Sequence, residues 1–133
     1  MSTILTTTIK ANTLLHSDGS TTTQPSIPAL DQRMAKAWVN FDQEGSAGIR
    51  SSYNVSSFTD TSTGRFTVNF ASTLSTADHV WVGNAGNHGG TVGSGRDITL
   101  DGAMTTTSLR GRVTHSNSSV SDDTYVAVIV FSP

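Results

Sequence analysis

The sequence has no cysteine, which excludes a disulfide framework and any thiolate metal site. Charged residues make up only 14% of the 133 residues, and the formal net charge is −2. Because both halves of the chain carry similar charge, there is no basic surface pattern of the kind that binds nucleic acid or an anionic membrane. No apolar run approaches the about 20 residues needed to span a bilayer. The first residues, MSTILTTTIK, lack the pattern of a signal peptide. These absences predict a protein made in a cytoplasm, with no nucleic-acid partner and no membrane insertion.

Serine and threonine are unusually abundant, with 19 and 21 residues, and 12 glycines accompany them. Threonine favours strands, serine and glycine favour turns, and together they disfavour long helices. Apolar residues still recur at regular intervals, which a disordered or glycosylated stalk would not need. The composition therefore predicts one all-β domain with its own core.

Alternating apolar and polar residues, separated by turn residues, predict seven or eight short strands. This spacing favours an antiparallel β-sandwich or a jelly-roll-like knob. A hairpin turn is expected at residues 61–64. The last predicted strand is apolar on both faces, so we expect it in the middle of a sandwich or at a subunit interface. The predicted strands cover residues 37–41, 49–59, 65–70, 78–83, 97–101, 107–114 and 123–131.

The segment before the first strand is mostly polar, and it has too little apolar surface to fold alone. We predict two domains, with residues 1–35 as an extended arm plus a short helix and residues 36–133 as the β knob. The alternatives for the arm are a disordered leader or a segment that orders on a partner by β-augmentation. The arm's candidate docking side chains are Ile4, Leu5, Ile9, Leu14 and Leu15.

Pro28 suits the first position of a short helix that runs to Lys36. Leu30 and Met34 share one face of this helix, and Ile27 precedes them on the same side. This apolar stripe needs a surface to bury it. That surface is either the chain's own β domain or other copies around a three-fold axis, in which case these three residues form a trimer seam.

No pattern of residues indicates catalysis or a bound metal. The histidines, His16, His79, His88 and His115, lack ligand spacing, although a three-fold axis could gather three copies of one of them. The aspartates at 97, 101, 122 and 123 do not follow the order of a calcium loop. No GxSxG motif or phosphate-binding glycine motif is present. Arg110 and Arg112 share the polar face of a strand, where they either meet water or an acidic partner. The residues themselves therefore give no reason to expect enzymatic activity or a cofactor.

Residues 36–82 resemble a module that recurs in tailed-bacteriophage virion proteins, often labelled tail fibre. The resemblance rests on KAWVNF at 36–41, GIR at 48–50, YNVSSFTD at 53–60 and TGRFTVNF at 63–70. The leader STILTTTIKANTL with its SDG turn is similar to the leaders of such proteins. The resemblance implies a non-enzymatic β-rich knob, a homotrimer, located on the virion surface. The chain departs from the fibre pattern because it lacks a shaft.

Length favours one role among those that the resemblance allows. An arm of about 35 residues spans about 120 Å when fully extended, which suits a knob seated on a surface. We therefore expect a capsid decoration or cement protein that binds the major capsid protein or another virion protein.

The alternative is a tail-fibre tip that binds a host surface glycan. In that case the glycine-rich loop 84–95 and nearby residues would make the contact. The candidate residues are Trp81, Asn84, Asn87, His88 and Arg96.

Overall fold

A computed structural model describes residues 33–86 and 96–133 of the chain. These residues form eight strands and no helix. The predicted all-β class is confirmed. The strands are β1 (Ala37–Asp42), β2 (Gly48–Tyr53), β3 (Val55–Ser62), β4 (Arg65–Phe70), β5 (Val80–Gly86), β6 (Arg96–Leu100), β7 (Ser108–His115) and β8 (Tyr125–Phe131).

The strands form two antiparallel sheets of four strands each. Sheet A has the order β2-β1-β8-β5, and sheet B has the order β3-β4-β7-β6. Hairpins join neighbours within each sheet, and the remaining connections cross from one sheet to the other. β1 and β8 occupy the two central positions of sheet A, where Val39 lies opposite Val128. This arrangement pairs the first described strand with the last.

One hydrophobic core lies between the sheets and takes side chains from both. The rings of Phe41 in sheet A and Phe66 in sheet B pack edge to face, with centroids 5.0 Å apart. Phe41 also stacks on Phe58 at 4.4 Å. Alternation places these residues inward because successive side chains of a strand point to opposite faces. The buried core residues are Ala37, Val39, Phe41, Phe66, Val68, Phe70, Leu74, Ala85, Leu109, Val113, Val126, Val128 and Val130.

The single strand predicted at 49–59 was wrong, because this segment forms two strands, β2 and β3. The chain leaves sheet A after Tyr53 and enters sheet B at Val55. Asn54 makes the crossing with a φ of 52°, which ends the regular strand geometry. Asparagine tolerates this left-handed conformation better than most residues do.

The hairpin turn predicted at 61–64 lies between β3 and β4. Gly64 has a φ of 69° and packs so closely that an added Cβ would lie 2.7 Å from the backbone nitrogen of Ser121. Its own amide donates to Asp122 Oδ1 at 2.6 Å. Only glycine satisfies both the conformation and the close approach at this position.

Two further predictions differ from the structure. β5 extends to Gly86, so residues 84–86 of the predicted glycine-rich loop belong to a strand that pairs with β8. Residues 33–36 of the predicted helix form a turn and a bend instead. The rest of that helix lies outside the described residues, as does the predicted arm, so the division at residue 35 stays a prediction.

Candidate functional site: an apolar outer face

The outer face of sheet A carries a row of apolar side chains across all four strands. Tyr53 lies opposite Trp38, Trp38 opposite Ile129, and Ile129 opposite Val82. Phe131 and Val80 form a second, adjacent pair on β8 and β5. We call these six residues the apolar face. The strand register brings together residues that are far apart in the sequence.

Five of the six residues of the apolar face are exposed, and Phe131 is partly buried. Val80 is 72% exposed, Val82 55% and Ile129 40%, and the two aromatic residues on β1 and β2 are exposed to a similar degree. Full burial of a side chain of this kind contributes about 1.5–3 kcal/mol. An exposed, contiguous apolar group in a domain of this size indicates a surface that binds another molecule.

The outer face of sheet B has the opposite character. Its side chains are polar and bond to one another across the strands: Asn69 Nδ2 donates to Ser57 Oγ at 3.0 Å, and Arg112 Nε donates to Thr99 Oγ1 at 3.1 Å. We call this surface, which also includes Thr59, the polar face. Hydrogen bonds between neighbouring strands satisfy these polar groups within the sheet. The contrast between the two outer faces makes the apolar face the candidate binding surface of the domain.

The Arg50–Asp42 ion pair lies at the end of sheet A away from the six apolar residues. Arg50 donates to Asp42 Oδ2 at 2.6 Å and to the carbonyls of Phe41 and Thr124. Its guanidinium also lies over the ring of Tyr125, 4.5 Å from the centroid. None of the six residues of the apolar face is itself charged.

An open recess adjoins the apolar face at the C-terminal end of β8. It has a volume of about 260 Å³ and is lined by Val80, Phe131, Ser132 and Pro133. The Ser75 hydroxyl holds Pro133 in place, because it donates to the Pro133 carbonyl at 2.5 Å. The recess can accept one side chain from a bound partner.

Three of the five residues predicted to form a partner loop lie within the described residues, and their positions differ. Trp81 faces inward and packs against the core, so Val80 and Val82 occupy the outer side of β5. Asn84 lies in β5, opposite Ala127. Arg96 is the first residue of β6, and its guanidinium is largely buried. Asn87 and His88 lie outside the described residues.

The most buried charged group is Asp123, which is 1% exposed. Its Oδ2 lies 2.5 Å from Nε of Arg96, although the geometry is not that of a hydrogen bond. The backbone carbonyl of Asp123 accepts from the amide of Gln43, itself a buried polar residue, at 3.0 Å. This ion pair ties the start of β6 in sheet B to the segment before β8 in sheet A, and its role is structural.

The predicted arginine pair lies on sheet B with partners from its own chain. Arg110 is exposed, and its Nη2 lies 3.8 Å from Asp101 Oδ2. Arg112 bonds to Thr99 as described above. Asp101 also lies 3.6 Å from Arg65. An exposed arginine on the polar face remains open to an acidic partner.

Histidines and aspartates are dispersed in the described part of the chain. His79 is buried, with Nε2 2.9 Å from the carbonyl oxygen of Thr105 and its ring against Phe70. Within residues 33–86 and 96–133, no group of three histidine or acidic residues is placed to hold a metal ion. The same residues contain no helix long and apolar enough to cross a membrane.

Most of the predicted docking and trimer residues lie outside the described residues. This applies to Ile4, Leu5, Ile9, Leu14 and Leu15 of the arm and to Ile27 and Leu30 of the seam. Met34, the remaining seam residue, has an exposed fraction of 41%.

The apolar face was not among the sites predicted from the sequence. The one available signal was β8, whose apolar residues on both sides pointed to burial or an interface. In the structure its inner side is buried, and its outer side supplies Ile129 and Phe131 to the apolar face.

The chain matches no protein-family model, no curated protein and no solved structure.

Proposed function

We propose that this chain is a non-enzymatic structural protein of a tailed-bacteriophage virion, a capsid decoration protein. Its N-terminal arm docks on the major capsid protein or another virion protein, and its β domain projects as a trimeric sandwich-type knob. The support comes from the resemblance of residues 36–82 and from one structural observation. That observation is the apolar face, because exposed apolar side chains suit a protein that binds other proteins.

The two outer faces support different roles in such a protein. Protein contacts gain most from apolar and aromatic side chains that lose their water on binding. The apolar face supplies two aromatic and two aliphatic side chains in its main row. A surface turned to the surroundings of a virion needs solvated groups, which the polar face supplies.

A second candidate function is that of a receptor-binding tip that contacts a host surface glycan. One observation favours it: Trp38 and Tyr53 lie side by side on neighbouring strands, and both are partly exposed. Flat aromatic surfaces of this kind stack on sugar rings. Because Trp81 packs against the core, the aromatic contact would use the apolar face.

Capsid binding tests the primary proposal. Capsids that lack the protein are incubated with the full chain or with a chain lacking residues 2–24, and bound protein is measured after sedimentation. We expect the full chain to bind and the shortened chain to stay in solution. Circular dichroism of the shortened chain checks that its strands are intact.

Two outcomes contradict parts of this proposal. Equal occupancy by both chains contradicts docking through the arm, and failure of the full chain to bind contradicts the decoration role. Saturable binding of the full chain to host cells, with competition against infection, supports the receptor-binding alternative.

A further inference from the structure

We propose that the apolar face is the self-association surface of this protein, and that three copies pack these faces around one three-fold axis. The occupant of the face is therefore another copy of this chain. The inference rests on the proposed trimer and assigns its seam to Tyr53, Trp38, Ile129, Val82, Val80 and Phe131 instead of the segment before β1.

The dimensions of sheet A fit a three-fold arrangement. Four strands about 4.8 Å apart give a face about 19 Å wide. Three such faces form a triangle whose centre lies about 5.5 Å from each side. Since two packed sheets lie about 10 Å apart, one layer of side chains fills about 5 Å, so the side chains of three faces fill the triangle.

The two edges of the face complement each other. The β2 edge ends in the large ring of Tyr53, and the β5 edge ends in the smaller Val82 beside the recess at Val80. At each corner of the triangle, the β2 edge of one copy meets the β5 edge of the next. Tyr53 and Val82 belong to the same row of the sheet, so they meet at the same height along the axis.

Strand direction is consistent with this contact. Each strand of sheet A is antiparallel to its neighbour, so β2 and β5 run in opposite directions. An edge contact between copies related by an axis along the strands is therefore antiparallel, which is the commoner pairing of strands. Such a contact also covers two open sheet edges, which would otherwise be free to aggregate.

Disulfide cross-linking tests the inference in the full chain, because the protein has no cysteine of its own. The variant Tyr53→Cys/Val82→Cys places thiols on the two edges of sheet A. Within one chain these positions are three strands apart, about 14 Å, which is beyond the reach of a disulfide. We expect mild oxidation to give covalent dimers and trimers on a denaturing gel, and the single-cysteine variants to give far less trimer.

A matched control uses sheet B. The variant Thr59→Cys/Thr99→Cys places thiols on its two edge strands, β3 and β6. We expect no covalent trimer from this variant. Equal ladders from the two variants, or no ladder from the sheet A variant, would overturn the inference.

Charge substitutions and light scattering provide an independent measurement. We expect the native chain to have three times the 14.0 kDa mass of the monomer. Tyr53→Lys or Val82→Glu alone should raise the dissociation constant at least tenfold, and the double variant should recover assembly through a lysine–glutamate contact between copies. The controls Thr59→Lys and Ser57→Glu should remain trimeric, and circular dichroism confirms folding of each variant.

The outcomes separate this inference from the proposed function. A native chain that is monomeric at about 50 μM, or single charge variants that stay trimeric, overturn the apolar face as the seam. Capsid binding of the native chain is measured separately and decides the decoration role. A cross-linked trimer that does not bind capsids leaves the seam established and refutes decoration.

Discussion

At the scale of single residues, the ion pair between Asp123 and Arg96 carries the largest energetic consequence. Among residues 33–86 and 96–133, no donor makes a hydrogen bond to either oxygen of the Asp123 carboxylate, so the nearby guanidinium is its main compensation. A buried charge without a partner is costly, and removal of one member of a buried pair exposes that cost. The pair holds two sheets together at the start of β6.

Replacement of Asp123 by asparagine should lower the free energy of unfolding by about 3–5 kcal/mol, because Arg96 then keeps a buried charge without a counter-ion. Urea unfolding followed by circular dichroism measures the change. Asp60→Asn, at an exposed position of β3, is the control, and we expect it to change stability by less than about 0.5 kcal/mol. A loss below about 1 kcal/mol for Asp123→Asn would contradict the role of the pair.

The inward position of Trp81 shows why residue orientation was hard to predict. Alternation divides β5 into two sides, but both sides carry apolar residues, so hydrophobicity alone does not select the inner one. The structure makes the selection through Gly83, where an added Cβ would lie 2.9 Å from Ile98 and 3.3 Å from the Trp81 ring. The glycine leaves room for both side chains inside, and the valines of β5 consequently face outward.

At the scale of the elements, Asn54 determines where the chain changes sheets. Its side-chain amide donates to the carbonyl of Lys36 at 2.9 Å, and its Oδ1 accepts from the amide of Ser72 at 2.8 Å. These bonds join the β2–β3 crossing to the segments before β1 and after β4. Periodicity cannot reveal such a crossing, because the alternation of side chains continues through it.

Asn54→Ala should reduce the free energy of unfolding by about 2–5 kcal/mol. The estimate combines about 1–2 kcal/mol for the left-handed backbone and about 0.5–1.5 kcal/mol for each lost hydrogen bond. Asn54→Gly relieves the backbone term alone, so we expect it to be less destabilising than alanine. Thermal and urea unfolding of the three proteins measure the difference, and equal stability of the alanine and glycine variants would contradict the backbone contribution.

Other elements were predictable to different degrees. β4 has its predicted bounds, because Phe66, Val68 and Phe70 alternate cleanly with polar residues between turn signals. β8 was predicted as a strand, but its exposed outer side was not, because a sequence does not show whether an apolar face meets its own chain or another. The strand order of both sheets depends on contacts distant in sequence, which periodicity does not encode.

At the scale of the whole molecule, the uneven polarity of the two outer faces is the main finding. The all-β class and one core followed from composition and alternation. The apolar face did not, because it is assembled from four strands whose neighbours only the register defines. Because the apolar face has no charged residue, we can predict how self-association through this face responds to salt.

An increase in NaCl from about 0.05 to 1 M should change the dissociation constant of the proposed trimer less than threefold, or lower it. The reason is that the seam contains no charged pair, whereas ionic contacts at this exposure are screened within about 3 Å at 1 M salt. Light scattering across a concentration series measures the constant. The double variant Tyr53→Lys/Val82→Glu provides the contrast, since its engineered charge pair should weaken with salt. Dissociation of the native assembly by salt would contradict an apolar seam.

The pairing of β1 with β8 also affects how the domain is made. β8 is the strand that connects the β1–β2 hairpin to β5, so sheet A lacks its centre until residues 125–131 have been synthesised. During translation, sheet B can already form from β3, β4, β6 and β7. Contacts between distant parts of a chain are slow to form. We therefore expect folding to end with the insertion of β8, and the apolar face to become available for assembly only at that last step.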